Sequence, residues 1–228
     1  MDEIPQHIGY IVDGNRRWAK GHGIPSYEGH LAGYNTLKDV VFETFDRGVK
    51  YVSIYAFSTE NWKRGEGETD KLMKLALRVF RTDLNEFIER SIRVRVLGSE
   101  EGLPLDVIDA GRKAEQQTAH LDKGTLCICF NYGGQREIVD AVKKCVQEGL
   151  RAEDITEEDI TTRLYAPDIP IVDMVVRTSG EHRLSNFMLW RVAYSEFMFI
   201  EKYWPDMTKD DVTAIIEEYS KRSRRFGG

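Results

Sequence analysis

"TLCICFNYGGQREIVDAVKKCVQE", residues 125 to 148, decides the architecture. Apolar and aromatic side chains occupy both alternating sets over 125 to 132, which predicts a strand buried on both faces. Two glycines end that run, and 134 to 148 continues with helical period. Cys127 and Cys129 point to one face of the strand and Cys145 lies alone in the helix, so all three read as core thiols, with no zinc or disulfide spacing.

The same order recurs outward in both directions. Strands are expected at "IGYIV" (8 to 12), "YVSIYAF" (51 to 57), "VRVLG" (94 to 98), "VDMVVRT" (172 to 178) and "FMFI" (197 to 200), which with 125 to 132 makes six. Helical periods fall at about 30 to 47, 68 to 91, 105 to 120, 156 to 165 and 209 to 224. Strands alternating with helices predict an α/β fold, a single domain over residues 1–228 with a mainly parallel six-stranded sheet flanked by helices. Ligands of such sheets bind beyond the carboxyl ends of the strands.

Composition narrows the function classes. The 228 residues are 41% hydrophobic and 31% charged, a globular balance, with a formal charge of −6. That charge gives no general attraction to nucleic acid or anionic lipid, so any basic site is local. The first ten residues lack the layout of a signal peptide, and no apolar run approaches the ~20 residues of a membrane span. A cytoplasmic protein is expected.

The strand ends carry the chemistry. Asp13 follows the first strand, Gly14 and Asn15 make a tight turn, and Arg16 and Arg17 add donors, a grouping that suits a phosphate with Mg²⁺ on the carboxylate. The stretch reads equally as a common Asp-Gly turn with solvated arginines. In "AFSTENWKR", 56 to 64, the polar Ser58, Glu60, Asn61 and Arg64 interleave with Phe57 and Trp62, a surface that could meet an anionic head and an apolar tail. It could also be a loop whose aromatics close the core. Further on, Arg177, Arg183 and Ser185 supply two planar forks and a hydroxyl suited to diphosphate. Glu196 starts a later strand, from which it could share a metal with Asp13. His30 and His182 read first as structural histidines, with phosphate or metal contact as the other role. The terminal "KRSRRFGG" complements a helix dipole, or wraps a phosphate.

Together "HIGYIVDGNRRWAKG", "YAFSTENWKR", "FNYGGQREIVDA", "RTSGEHRLSNFMLW", "YSE" and "RRFGG" resemble the cis-prenyltransferases, the undecaprenyl diphosphate synthase family, over almost the whole chain and in order. The resemblance implies a homodimeric enzyme with a deep apolar tunnel that uses Mg²⁺ to join an allylic prenyl diphosphate to isopentenyl diphosphate through a new cis double bond. It implies Asp13 as the central catalytic carboxylate and metal ligand, Glu196 as a second ligand and His182 as a further metal contact. It places Gly14, Asn15, Arg16, Arg17, Trp18 and His30 at the donor. Ser58, Thr59 and Glu60 would border the reacting ends, with Asn61 as proton acceptor and Trp62 and Arg64 completing the wall. Arg177, Arg183, Leu184 and Ser185 would hold isopentenyl diphosphate, and Arg225 and Gly227 would reach the neighbouring subunit's site. A long lipid product would bring the enzyme into peripheral contact with a membrane without electrostatic help.

Two departures bear on specificity. Ser26 stands where the bacterial pattern usually carries arginine, and Arg16 replaces a residue often small there, which suggests compensation. Phe130 takes a position often held by a small residue. A ring entering the tunnel would favour short products, or a single condensation on an unusual acceptor; a ring packed in the core would not. Two other classes compete. Mg²⁺-dependent phosphatases that begin with a strand and an acid need a second carboxylate two positions on, where this chain has Asn15. An inactive partner subunit is expected to have lost residues such as Asp13, Asn61 and Glu196, which are present here.

Overall fold

The computed structural model describes residues 4–63 and 65–222, the side chain of residue 66 excepted. Strand β1, His7–Ile11, is buried throughout and leads through Asp13 and Gly14 into helix α1, Asn15–Gly21, and then α2, Ser26–Asp46. Strand β2 is Tyr51–Ser58, followed by a 3₁₀ turn at Thr59–Lys63, helix α3 at Glu66–Leu77 and helix α4 at Leu84–Glu89. Next come β3, Ile92–Leu97; α5, Leu105–Thr118; β4, Gly124–Tyr132; α6, Gly134–Gln147; and α7, Glu157–Thr161. The described chain closes with β5, Met174–Thr178; β6, Glu196–Ile200; and α8, Lys209–Ser220.

All six strands are parallel, in the order β3-β4-β2-β1-β5-β6. The unbroken apolar run behaves as expected, since every residue of β4 is buried. Alternation assigns Leu126, Ile128 and Phe130 to the larger core under α2, α3, α4, α5 and α8, and Cys127 and Cys129 to a second cluster with Val172 and Phe187.

Two differences from the sequence pattern have local causes. The helix expected over 68 to 91 is interrupted by a π-type turn at Arg78–Thr82 and by Asp83. Asp83 is buried, and its carboxylate accepts from Tyr34 Oη at 2.6 Å and Arg78 Nε at 3.0 Å, contacts that turn it toward α2. At the other site a helix, α1, begins where the sequence suggested only a turn. Gly14 supplies the φ of +104° that directs the chain into it. Packing on α2 completes it, because a Cβ on Gly29 would lie 2.1 Å from the Asn15 carbonyl oxygen, so α1 rests where α2 carries glycine.

Candidate functional site

The strand order changes direction at β1. From β1 the chain moves to β2 on one side, and it later returns to place β5 on the other. The carboxyl ends of these three adjacent strands therefore part to leave a crevice, the usual ligand position of an open α/β sheet. Each of the three expected motifs follows one of these strands, although they are far apart in sequence.

A cleft of about 1110 Å³ occupies that crevice. Asp13, Gly14, Asn15, Arg16 and Arg17 line it from β1 and α1, and His30 and Ser26 from α2. Ser58, Glu60 and Asn61 enter from the end of β2, and Arg177, Arg183 and Ser185 from the end of β5.

Ionic pairs tie these groups together. Arg177 Nη2 donates to Asp13 Oδ2 at 2.8 Å, and its Nη1 donates to Ser185 Oγ at 2.8 Å and to the Arg183 carbonyl. Arg17 stands 3.4 Å from the other Asp13 oxygen and pairs with Glu181 at 3.0 Å. The second Glu181 oxygen accepts from Arg183. Arg177 is only 3% exposed, so its charge depends on these partners rather than on water. Burial pushes the Asp13 carboxyl up, but the Arg177 bond and charge, the Gly14 N–H and Arg17 outweigh it and hold Asp13 below its ordinary value. Glu60 is likewise held low: burial raises it, and bonds from its own N–H, Asn186, Ser58 and Thr59 outweigh that. Both acids are therefore ionised at neutral pH.

Among the described residues no group of three or more His, Cys, Asp or Glu side chains forms a metal cage. Asp13 offers a partly exposed carboxylate facing an arginine-lined cleft. Mg²⁺ is commonly held by one or two carboxylates, substrate phosphates and water, so this donor set fits that ion.

Other expected residues lie elsewhere. Trp18 Nε1 donates to Asp206 at 2.7 Å and anchors α1 to the turn at 204–206, and Trp62 Nε1 donates to Asn131 at 2.7 Å. Thr59 packs against Gly133, Leu184 joins the second core cluster, and His182 stacks on Phe199 with centroids 4.7 Å apart. None of the five is among the cleft-lining residues. Glu196 pairs with Arg222 at 3.0 Å, and its register places it beside Met174, which itself lies beside Ile8. Asp13 lies past the other end of β1, so the strand rise separates the two acids by roughly 16 Å along the sheet. Within one chain, therefore, Glu196 does not stand beside Asp13. Arg64, Arg225 and Gly227 lie outside the described residues.

Sequence reasoning missed three contributors. Asn186 lines the cleft, donates to Glu60 at 3.1 Å and accepts from the Gln135 N–H at 2.8 Å, joining the β2 and β5 loops to the start of α6. Its place directly after Ser185 was the available signal. Tyr55 Oη donates to the Ser185 carbonyl at 3.2 Å, and Glu181 sits between two expected site arginines.

An apolar cavity of about 90 Å³ adjoins the cleft and shares Val12, Asn15, His30, Ala56 and Leu72 with it. Its inner wall includes Phe80, Phe130, Ile54 and Trp204. The Phe130 ring lies 5.2 Å from Phe57 and 6.3 Å from Phe80, centroid to centroid.

The chain matches the prenyltransferase family model described as undecaprenyl diphosphate synthase over residues 11–227. It is 48% identical over 228 residues to the isoprenyl transferase of Thermotoga maritima, covering 99% of this chain and 97% of that one. It is 46% identical to the isoprenyl transferase of Listeria innocua, covering 99% and 91%. In three dimensions it is similar to the lavandulyl diphosphate synthase of Lavandula x intermedia, solved with dimethylallyl diphosphate, with a TM-score of 0.94, 33% identity and 99% coverage of each chain.

Proposed function

The chain belongs to the undecaprenyl diphosphate synthase family of cis-prenyltransferases, and from that premise we propose that it joins an allylic prenyl diphosphate to isopentenyl diphosphate with Z geometry. The observation that carries this reading is the set of arginines around Asp13 at the mouth of an apolar cavity. An amphipathic diphosphate has its head and tail matched by the two compartments.

In the reaction the C1–O bond of the donor breaks and leaves pyrophosphate. The terminal alkene carbon of the acceptor bonds to donor C1, and a proton leaves acceptor C2. Arg16 and Arg17 are placed for the donor diphosphate, and Arg177, Arg183 and Ser185 for that of the acceptor. Preorganised donors stabilise the charge that develops on the leaving oxygen, and apolar walls keep water from the allylic cation. Mg²⁺ held at Asp13 would neutralise diphosphate charge in this step. Asn61 lines the same cleft, and its Oδ1 accepts the Ser58 N–H at 3.2 Å. A backbone N–H can only donate, so the oxygen end of the amide faces it and the NH₂ end remains for the substrate. That orientation suits holding a phosphate oxygen, and the departing diphosphate is the better proton acceptor.

The cavity bears on product length. Phe130 and Phe80 close the space in which a tail would grow, which favours short products and keeps a second reading in place: a non-elongating homologue with an unusual acceptor. Phe130→Ala is expected to lengthen the main product by at least one isoprene unit, read by chromatography of labelled products. An unchanged product distribution would place the ring outside the tail's path.

Arg16 and Ser26 both line the cleft, consistent with one replacing the cation absent at the other. Arg16→Ala is expected to raise KM for the donor about tenfold with little change in kcat, the loss of one charge-assisted contact; equal donor affinity removes the compensation.

The protein is proposed to act in the cytoplasm as one catalytic domain over 1–228, and as a homodimer in which Arg225 and Gly227 complete a neighbouring site and Glu196 and His182 hold metal. Among the described residues no helix is long and apolar enough to cross a membrane. Purified protein incubated with Mg²⁺, labelled isopentenyl diphosphate and allylic donors of several lengths tests the central reading. Labelled, extractable prenyl diphosphate is expected; release of phosphate or pyrophosphate without extension overturns it.

A further inference from the structure

Glu181 has no part in the steps above, yet its carboxylate is paired with two of the arginines those steps need. One oxygen takes Arg17 at 3.0 Å, on the donor side, and the other takes Arg183, on the acceptor side. A glutamate whose two oxygens are each paired with an arginine is held as the anion by those pairs. Its two oxygens bridge two guanidinium groups much as two phosphoryl oxygens would. Arg17 also lies over the Tyr203 ring at 5.8 Å, a contact that holds it in place without Glu181.

An arginine paired with an internal carboxylate has less to gain from an incoming anion. A diphosphate must first displace Glu181, and a departing one is replaced by it. We propose that Glu181 is a displacing carboxylate, which competes with diphosphate for Arg17 and Arg183 and thereby speeds release of pyrophosphate. This rests on the reading of Arg17 and Arg183 as diphosphate ligands. Glu181 is then a positioning residue acting through the arginines, and it lowers ground-state affinity. Such a device suits an enzyme that releases a diphosphate at every condensation, because strong arginine and metal contacts would otherwise retain the product.

The sign of the effect distinguishes this role from the others open to an acid in a phosphate cleft. A carboxylate that binds metal or orients substrate strengthens diphosphate binding, so its loss weakens it. A displacing carboxylate does the reverse. Inorganic pyrophosphate is titrated calorimetrically, with Mg²⁺ present, into the wild type and into Glu181→Gln. The variant is expected to bind about tenfold more tightly, the worth of two exposed ion pairs no longer competing. Pyrophosphate inhibition of turnover is expected to tighten in step, with KM for both substrates falling. Glu181→Ala, which also removes the arm, is expected to change affinity in the same direction, and unchanged thermal midpoints exclude a folding effect. Equal or weaker binding by both variants overturns the proposal while leaving the diphosphate reading intact. A wild type that binds no pyrophosphate overturns that reading, and this inference with it.

Discussion

Asp13→Asn is expected to lower kcat by about 10³-fold while the protein stays folded. The substitution is nearly isosteric, and an amide oxygen still accepts from the Gly14 N–H or from Arg177. What disappears is the negative charge. Asp13 balances two arginines in the cleft, one of them 3% exposed, and it is the carboxylate best placed for a magnesium-bound diphosphate. Losing it leaves Arg177 without its compensating anion and, on the proposed reading, removes the carboxylate that would hold Mg²⁺. The acid is held below its ordinary value, so its ion pair stabilises fold and site fully above the unfolded carboxylate pKa, and this is lost as pH falls through the lower folded value. At neutral pH the variant therefore shows the whole loss. Single-turnover rates with labelled acceptor measure it, with thermal midpoint as control. A kcat within tenfold of wild type would remove Asp13 from the centre of the chemistry.

The second large effect is on stability. Arg191→Met is expected to cost about 3–5 kcal/mol, because it strands the Glu137 carboxylate inside the protein. Both side chains of this pair are buried, with exposures of 3% and 0%, and Arg191 Nη1 meets Glu137 Oε1 at 2.7 Å. Arg191 Nη2 donates to the Tyr165 carbonyl at 2.6 Å, while Glu137 accepts from the Tyr165 N–H at 3.0 Å and from Tyr132 Oη. For a chain of this size the loss lowers the thermal midpoint by about 10 °C. Adding Glu137→Leu is expected to restore much of it, since removing both charges ends the desolvation penalty that removing one creates. Glu137 lies in the first turn of α6, next to the backbone that Asn186 binds, so the single variant also loosens the loop carrying Arg183 and Ser185. A midpoint shift under 3 °C in the single variant would show that water or another partner reaches Glu137.

Much of this was legible in the chain because it is local. Apolar runs marked all six strands, since a strand covered on both faces has few polar positions, and the acid and arginines fell just past strand ends where parallel sheets bind ligands. Strand order was not legible, because it depends on pairing between segments distant in sequence, above all β1 with β5, where Ile8 lies beside Met174. The level of Glu196 is a case in point: its neighbours in sequence gave no hint that Met174 would lie beside it, and through Ile8 five positions short of Asp13. Asn186 and Glu181 were overlooked because each acts through other site residues, and such a role becomes visible only when distances are known. The helix at α1 escaped notice since two turns are too short for a periodic signal, and its Asn15 rests where α2 carries Gly29 and Gly33.

The π-type turn at Arg78–Thr82 contains one residue more than an α-helical turn would. Phe80, within it, faces the apolar cavity, while Leu84 and Phe87 beyond it seat again in the core. The flanks are thereby insulated from what happens between them. A residue added or removed here would redirect one ring without unseating its neighbours, so pocket shape can be changed at this turn by chain length as well as by exchange of one side chain for another.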